Sequence, residues 1–486
     1  MNVATFQFAS SSVHFVASLE ILKQEAEAGN KNFYYLWGSC TSYPGRMSRG
    51  FESFNGVPPA RIRRIIEVAS TGSYKPDRIE TGSDLVEKTL ELFVRQFMKL
   101  DSINDLQKLE HGEIRPGPAI ANEMTNITKN RDLNLRINLK LFTVLIRSYL
   151  EVYFSTKRKL EDSSIEKVYV FNGRFLHERA VWDCAKNLGL EVLVFETTRN
   201  RYFKRKEGFH SRTNNQRVMI DHWDASELSR EEKIRIGSKY FGELRSKGNP
   251  YRVEPEELFP FNQKYFVYFS SSDDEAVGFW EEWNEPLGNQ ISVITKLQEI
   301  FDRQDEFDLV IRLHPNLANK GHEVNSNWSA LKSSRKTTVV GPNQKVSSYE
   351  LLDNSQAVIS YGSTIGLEAA FARKPSIVLA DCGYDEIGVV DKAESWEFFL
   401  NWFAGKEKFA TDLLERRHEN STIRGYFLAT GGLAFNNSEL VEIGWGSWKV
   451  INFCGFKLSD NIFRVKYQNT ISKIKFLRII RMINRG

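Results

Sequence analysis

Twice along the chain, short apolar runs alternate with helical stretches, and this alternation constrains the fold more than any other feature. The first block opens with a strand from Val3 to Phe8, a helix from Ser12 to Ala28 closed by the pair Gly29-Asn30, and a strand from Phe33 to Trp37. It resumes after residue 167: a strand from Val168 to Phe171, a turn at Asn172-Gly173-Arg174, a helix from Leu176 to Asn187 and a strand from Glu191 to Phe195. The second block starts with a strand from Tyr265 to Phe269, then a helix over 289–303 and strands from Asp308 to Leu313 and from Thr337 to Val340. A short helix follows, opened by Ser347 with Glu350 three residues on. The block closes with an apolar run at Ala357-Val358-Ile359, the turn Gly362-Ser363-Thr364, a helix through Phe371 and a second apolar run at Ile377-Val378-Leu379. Strands joined through helices run parallel, and a parallel sheet is covered on both faces. The fold class expected is therefore α/β, with two Rossmann-like domains whose parallel sheets face a cleft.

The expected division is an N-terminal Rossmann-like domain at 1–220 with a helical insert at about 58–160, a helical connector at 221–260 and a C-terminal Rossmann-like domain at 261–458. A basic tail at 459–486 completes the chain. The connector is rich in charge and closes with Pro255 and Pro260. From Ser459 to Gly486 the tail has seven Lys/Arg against one acid, Asp460, and a rough helical stripe of Ile, Leu and Phe. It reads either as a basic amphipathic helix on an anionic membrane surface or as a helix packing its stripe on the core with a solvated basic face. A length of 486 residues suits two or three domains. The net charge, 66 − 62 = +4, is too mild to argue for nucleic acid. Four cysteines lie far apart with no CxxC, as reduced thiols of a cytosolic protein do. No basic region precedes the apolar residues at the N-terminus, so no signal peptide is expected, and no apolar run approaches the roughly 18 residues of a membrane span. The location expected is cytoplasmic, peripheral to the inner face of the membrane through the tail.

In open α/β sheets, ligands bind beyond the carboxyl ends of the strands. Three polar clusters stand there in the second block. Ser271 and Ser272, followed by Asp273-Asp274-Glu275, come after its first strand. Arg312 and the step His314-Pro315 come after its second. Gly362, Ser363 and Thr364 come after its fourth. A turn entering a helix offers backbone N–H groups and the positive end of the helix dipole, which suits a phosphate or diphosphate. The P-loop pattern is absent. Taken alone, Ser363 or Thr364 reads first as an ordinary N-cap, a common role for Ser and Thr. Glu368 is placed to accept from ribose hydroxyls, or else faces solvent. In the first block, Glu196 ends a strand and Arg174 sits in a turn, where it suits an anionic acceptor or a donor carboxylate. His177, Glu178, Glu196 and Asp274 are the candidates for a general base, with Glu178 also readable as a helix cap. The run Arg199, Arg201, Lys204, Arg205 and Lys206 reads as a solvated loop or as a contact for an anionic acceptor.

The pattern R-x-H-P after one strand, followed by Gly362-Ser363-Thr364-Ile365-Gly366-Leu367-Glu368, resembles the C-terminal nucleotide-sugar domain of GT-B glycosyltransferases. It is most similar to bacterial capsule polysaccharide biosynthesis proteins, in the neighbourhood of Kdo transferases and sialyltransferases. Phe171-Asn172-Gly173-Arg174 with Glu178-Arg179 resembles the acceptor side of such proteins. The resemblance implies a GT-B glycosyltransferase that uses a CMP- or UDP-linked sugar as donor and a glycan or lipid-linked saccharide as acceptor, with no cofactor and no bound metal. It implies that His314, Ser363 and Thr364 contact the donor phosphate. With the readings above, the expected catalytic set is His314, Glu196 and Arg174, and the expected donor-binding set is Ser271, Ser272, Arg312, Gly362, Ser363, Thr364 and Glu368. One departure from the family is that the acidic pair followed by glycine, which carries the base in sialyltransferase-like members, has no clear counterpart in the first domain. Hydrolysing UDP-GlcNAc 2-epimerases share the HP step and the turn, so an epimerase, or an inactive scaffold of the same fold, is the alternative.

Overall fold

The computed structural model describes residues 1–8, 12–37, 60–70, 79–128, 130, 133–206, 212–246, 263–271, 284–315, 317, 328, 331–444 and 447–457. The chain forms two compact units. The first comprises 1–127, 131–209 and 432–486, and the second 128–130 and 210–431.

The first unit begins with β1 (Asn2–Gln7), α1 (Ser12–Glu27) and β2 (Lys31–Leu36). Its helical insert supplies α2 (Ala60–Ser70), α3 (Asp84–Phe97), α4 (Ile103–Gln107), α5 (Gly117–Thr128) and α6 (Leu139–Asp162). Then come β3 (Lys167–Phe171), α7 (Leu176–Asn187), β4 (Glu191–Thr198) and β5 (Arg201–Arg205). The strands lie in the order β2-β1-β3-β4-β5, parallel except for the β4–β5 hairpin. β1 is apolar apart from Thr5 and Gln7 beyond its first residue and is buried there on both faces, as a central parallel strand must be. The long helix α6 packs on α3, with Phe142 stacked on Phe97 at 3.9 Å. It also meets α7, where the Tyr149 hydroxyl donates to Asp183 at 2.5 Å.

The second unit contains α8 (Arg212–Asp224), α9 (Arg230–Ser246), β6 (Tyr265–Phe269), α10 (Gln290–Asp302), β7 (Asp308–Arg312) and β8 (Thr337–Val340). It continues with α11 (Ser348–Asn354), β9 (Ala357–Ser360), α12 (Ile365–Phe371), β10 (Ser376–Val378), β11 (Asp391–Lys392), α13 (Trp396–Ala404) and α14 (Thr411–Thr430). All six strands are parallel, in the order β11-β10-β9-β6-β7-β8. The chain therefore builds outward from β6 to one edge, returns, and builds outward from β9 to the other. β6 and β9 meet at the switch point, where such sheets open a crevice at their carboxyl ends. Apolar side chains alternate between two cores, with Phe266, Tyr268 and Ile359 on one face and Val267, Phe269 and Val358 on the other. α9 and α14 cross at Gly237 and Gly425. A Cβ on Gly237 would lie 2.3 Å from the Thr422 carbonyl oxygen, so that crossing requires glycine.

The chain then returns to the first unit. β12 (Leu433–Ala434) pairs antiparallel with β5 and closes that edge of the sheet. β13 (Ser438–Gly444), β14 (Ser447–Phe453) and β15 (Phe456–Lys457) form a small antiparallel sheet. Val450 and Phe453 enter the core cluster of α1 and α2. The buried carboxylate of Glu20 on α1 accepts from Asn437 N–H (2.9 Å), Asn437 Nδ2 (3.0 Å) and the Ser438 hydroxyl (2.5 Å).

The units differ from the sequence-based boundaries in two places. Helices α8 and α9 belong to the second unit, where α9 packs along α14, and residues 432–457 belong to the first. The basic run is strand β5 with its turn at Arg199-Asn200, where Arg199 has φ 50°, and is not a solvated loop. Tyr202 is buried in it, and Lys204 donates to Gln24 at 3.0 Å. The tail at 459–486 lies outside the described residues. Among the described residues, no helix is long and apolar enough to cross a membrane.

Candidate functional site

At the switch point of the second unit, β6 runs into Ser270-Ser271 and β9 into Tyr361-Gly362-Ser363-Thr364. Ser270 ties the strand ends together. Its N–H donates to the Arg312 carbonyl at 3.2 Å, and its hydroxyl accepts from His314 N–H at 2.8 Å. The backbone of His314 is thus fixed on the rim from the neighbouring strand. Gln290, at the start of α10, clamps Ser271 in both directions: Oε1 accepts from its N–H at 2.8 Å and Nε2 donates to its carbonyl at 3.2 Å. Sequence reasoning missed Ser270 and Gln290. Ser270 was signalled as the first hydroxyl after an apolar strand, whereas Gln290 carries no signal that separates it from any helix-opening residue. Ser272 and Asp273-Asp274-Glu275 lie outside the described residues.

The turn after β9 is built on glycine. Gly362 has φ 76°, and a Cβ there would sit 3.0 Å from the Asp381 carbonyl oxygen. Gly366 leaves room for Tyr384, whose hydroxyl would lie 2.6 Å from any Cβ at 366. That hydroxyl donates to the Ser363 carbonyl, and the Tyr361 hydroxyl donates to the Gly288 carbonyl at 2.5 Å. Thr364 occupies the N-cap position of α12 in a helical conformation, and its side chain makes no cap hydrogen bond. The N-cap reading of Thr364 is therefore corrected: its hydroxyl is exposed and leaves the helix uncapped. None of the N–H groups of Gly362, Ser363 and Thr364 donates to another group among the described residues.

Two charged side chains lie behind this rim. Arg312 is 2% exposed, and its Nη1 donates to the Gly341 carbonyl at 2.5 Å. Its Nε has no partner, and no carboxylate pairs with it among the described residues. Burial pushes its pKa down to about 10. Glu368 on α12 is 6% exposed, so the reading of a solvent-facing helix former is corrected. Burial pushes its carboxyl up to about 7 against the opposing influence of the Tyr349 hydroxyl and the Arg245 charge, and Oε2 has no partner.

The carboxyl edge of the first unit is acidic. β3 runs into a turn at Asn172 (φ 56°) and Gly173 (φ 81°), and a Cβ on Gly173 would meet the Trp182 ring at 2.6 Å. Asn172 Nδ2 donates to Glu196 Oε2, and Thr197 N–H donates to Glu196 Oε1 at 3.0 Å. Burial raises the Glu196 pKa, opposed by those two donors and by Arg174. Arg174 lies over the Phe175 ring at 4.9 Å. His14 shares the Thr197 hydroxyl at 2.7 Å and lies 3.9 Å from Glu196, and burial pushes it down to about 4, so it is neutral. His177 is buried with Nε2 at 3.0 Å from the Ser148 hydroxyl, which takes it out of the candidates for a base. Glu178 stands in the first turn of α7, is 2% exposed, and has an unpartnered Oε1. Burial first, then the charges of Glu123 and Glu196, push it up to about 8 against its own backbone N–H. Glu123 comes from α5, so the insert contributes a buried acid to this edge. Its one sequence signal was a lone acid within an apolar helical stretch.

Residues 252–427 match the family model described as capsule polysaccharide biosynthesis protein. No curated protein matches the sequence. Among solved structures, the chain is similar to the KpsC beta Kdo 2,4 transferase of Thermosulfurimonas dismutans at 14% identity, over 56% of this chain and 85% of that one, with a TM-score of 0.37. It is also similar to MnaA of S. aureus, solved with UDP, at 12% identity over 88% and 93% of the two chains with a TM-score of 0.29. A third similar structure is the UDP-GlcNAc 2-epimerase of Methanocaldococcus jannaschii, at 14% identity over 87% and 99% with a TM-score of 0.29. The family-model match over residues 252–427 takes in the rim from Ser270 to Glu368.

Proposed function

We propose that the chain is a glycosyltransferase that moves a sugar from a CMP- or UDP-linked donor to a glycan or lipid-linked saccharide acceptor in capsule polysaccharide assembly. The observation that carries the reading is the coincidence of the family match with an anion-receiving rim at the switch point. There the N–H groups of Gly362, Ser363 and Thr364 donate to no other group among the described residues, and the His314 backbone is tied to the end of β6 through Ser270. Preorganised donors aimed at a leaving phosphate stabilise the charge that develops as the glycosidic bond breaks. In this reading His314, Ser363 and Thr364 hold the phosphate, Glu368 accepts from the ribose, and Arg312 adds positive charge from behind through the Gly341 backbone. Ser271 is held by Gln290 to line the same rim. The acidic edge of the first unit takes the acceptor, with Arg174 beside it.

A thermal-shift panel with CMP, UDP, GDP and ADP, run on wild type and on His314→Ala, tests the donor half. A ligand at a hundred times its Kd adds roughly 2.7 kcal/mol to the folded state. One nucleotide is expected to raise the wild-type melting temperature and to lose that effect in the variant. A panel in which none does so removes the donor reading. Free UDP released from UDP-GlcNAc together with an epimerised sugar selects the epimerase instead.

A further inference from the structure

Glu196 and Glu178 compete for one role, and their surroundings separate them. Both carboxylate oxygens of Glu196 are engaged, one by Asn172 and the other by Thr197 N–H. Glu178 keeps Oε1 without a partner although the residue is 2% exposed. Buried acceptors are normally paired, and an exception calls for a cause. A second group, of opposite kind, lies along the same edge. Trp37 follows β2, and its backbone N–H donates to the Gln7 carbonyl at the end of β1 at 3.1 Å. The residue is 1% exposed and its indole N–H has no acceptor. Ring contacts run from Trp37 to Phe8 at 6.2 Å and from Phe8 to His177 at 5.4 Å, and Glu178 is the next residue. An unpaired indole donor and an unpaired carboxylate acceptor, both at the carboxyl end of one sheet, match the hydroxyls of a saccharide.

We propose that Glu178 takes the proton of the acceptor hydroxyl in a saccharide subsite shared with Phe8 and Trp37, and that Glu196 is a positioning residue for the Asn172-Gly173-Arg174 turn. This deepens the transferase reading, rests on it, and supplies the base that the missing family motif leaves open. The acceptor O–H bond breaks and its proton goes to Oε1 of Glu178 in its ionised form. The freed oxygen pair bonds to the anomeric carbon, and the bond from that carbon to the phosphate oxygen breaks with its electron pair leaving on the nucleotide. Burial, and after it the like charges of Glu123 on α5 and Glu196 on β4, raise the proton affinity of Glu178. Arg174 sits beside Glu196, and His14 is neutral. The surroundings therefore favour a carboxyl that holds a proton once it has taken one.

The experiment measures nucleotide release from CMP-Kdo and UDP-N-acetylglucosamine by the full chain, in water and with a panel of methyl glycosides, alongside nucleotide thermal shifts. Glu178→Gln is isosteric, and circular dichroism establishes that it is folded. It is expected to keep the thermal shift while losing about 100-fold or more in release, within the range for a general base. Formate is expected to restore part of the activity of Glu178→Ala but none of that of Glu196→Ala. Glu196→Gln is expected to lose about tenfold, with more of the change in KM than in kcat. Release by Glu178→Gln within about threefold of wild type overturns the assignment, as does formate rescue of Glu196→Ala alone. A wild type that binds nucleotide but releases none from either donor also overturns it. A wild type that no nucleotide stabilises refutes the transferase reading itself, and this assignment with it.

Discussion

The two sheets share an architecture and end in opposite chemistry. At the carboxyl edge of the second unit stand Arg312, His314 and a hydroxyl-bearing turn whose N–H groups donate to no other group among the described residues. At the corresponding edge of the first unit stand three carboxyls, Glu123, Glu178 and Glu196. A parallel sheet with its helices fixes where a ligand goes, and the few residues after each strand fix what the ligand is. In the proposed reading one edge receives negative charge and the other receives a proton.

The largest effect that sharpens this contrast is on stability against pH. Glu178 is raised from 4.5 to about 8 in the folded chain, so the fold binds its proton more tightly than the unfolded chain does. The stabilisation is therefore complete below about pH 4.5 and is lost as the pH rises through 8, a change on the order of 4 kcal/mol for a group this buried. Glu178→Gln is expected to remove the loss, so that the variant gains on wild type in denaturant titrations between pH 5 and 8. Parallel stability curves for the two proteins would mean that folding leaves the proton affinity of Glu178 unchanged.

A smaller effect is expected at the turn of the second unit. Gly366→Ala pushes a methyl group into the Tyr384 hydroxyl that holds the Ser363 carbonyl. It should cost about 1–3 kcal/mol of stability and weaken the nucleotide-induced rise in melting temperature more than Gly383→Ala, where a Cβ meets nothing within 4 Å. Equal effects of the two variants on nucleotide binding would detach that turn from the anion site. The smallest effect concerns Glu368, whose carboxyl titrates at about 7. Nucleotide affinity in wild type should change by roughly three- to tenfold between pH 6 and 8, and Glu368→Gln should flatten that change in isothermal titration. A profile unchanged by the variant would place Glu368 outside the site.

The legible parts of the molecule were those with a local period. Strands β3 and β6 to β9, the helices between them and the turn at 362–364 follow from apolar runs broken by glycine and hydroxyls, because a strand–turn–helix unit is specified within about 25 residues. Long-range partnership was illegible. β5 reads as a charged loop because Tyr202 is its one fully buried side chain. Residues 433–457 read as part of the second domain because nothing local records that β12 pairs with β5 or that Glu20 receives Asn437. At the candidate site, His314 and Gly362-Ser363-Thr364 stood out through position relative to strands. Glu178 was visible as a residue but not as a buried one, since its burial depends on tertiary packing of α7, including that against the insert helix α6, which no local pattern records.

The return of the chain to its first unit has a consequence during synthesis. Val450 and Phe453 fill the cluster between α1 and α2, Glu20 is satisfied by Asn437 and Ser438, and β12 caps the sheet edge at β5. A ribosome delivers all of these only after it has made every strand of the second unit. The nascent first unit therefore waits with an open apolar face, an unpaired buried carboxylate and a bare strand edge, while the second unit has all its parts in hand. The domain that begins first is the one that finishes last, and a chaperone that shields strand edges has its longest client interval at the N-terminal half.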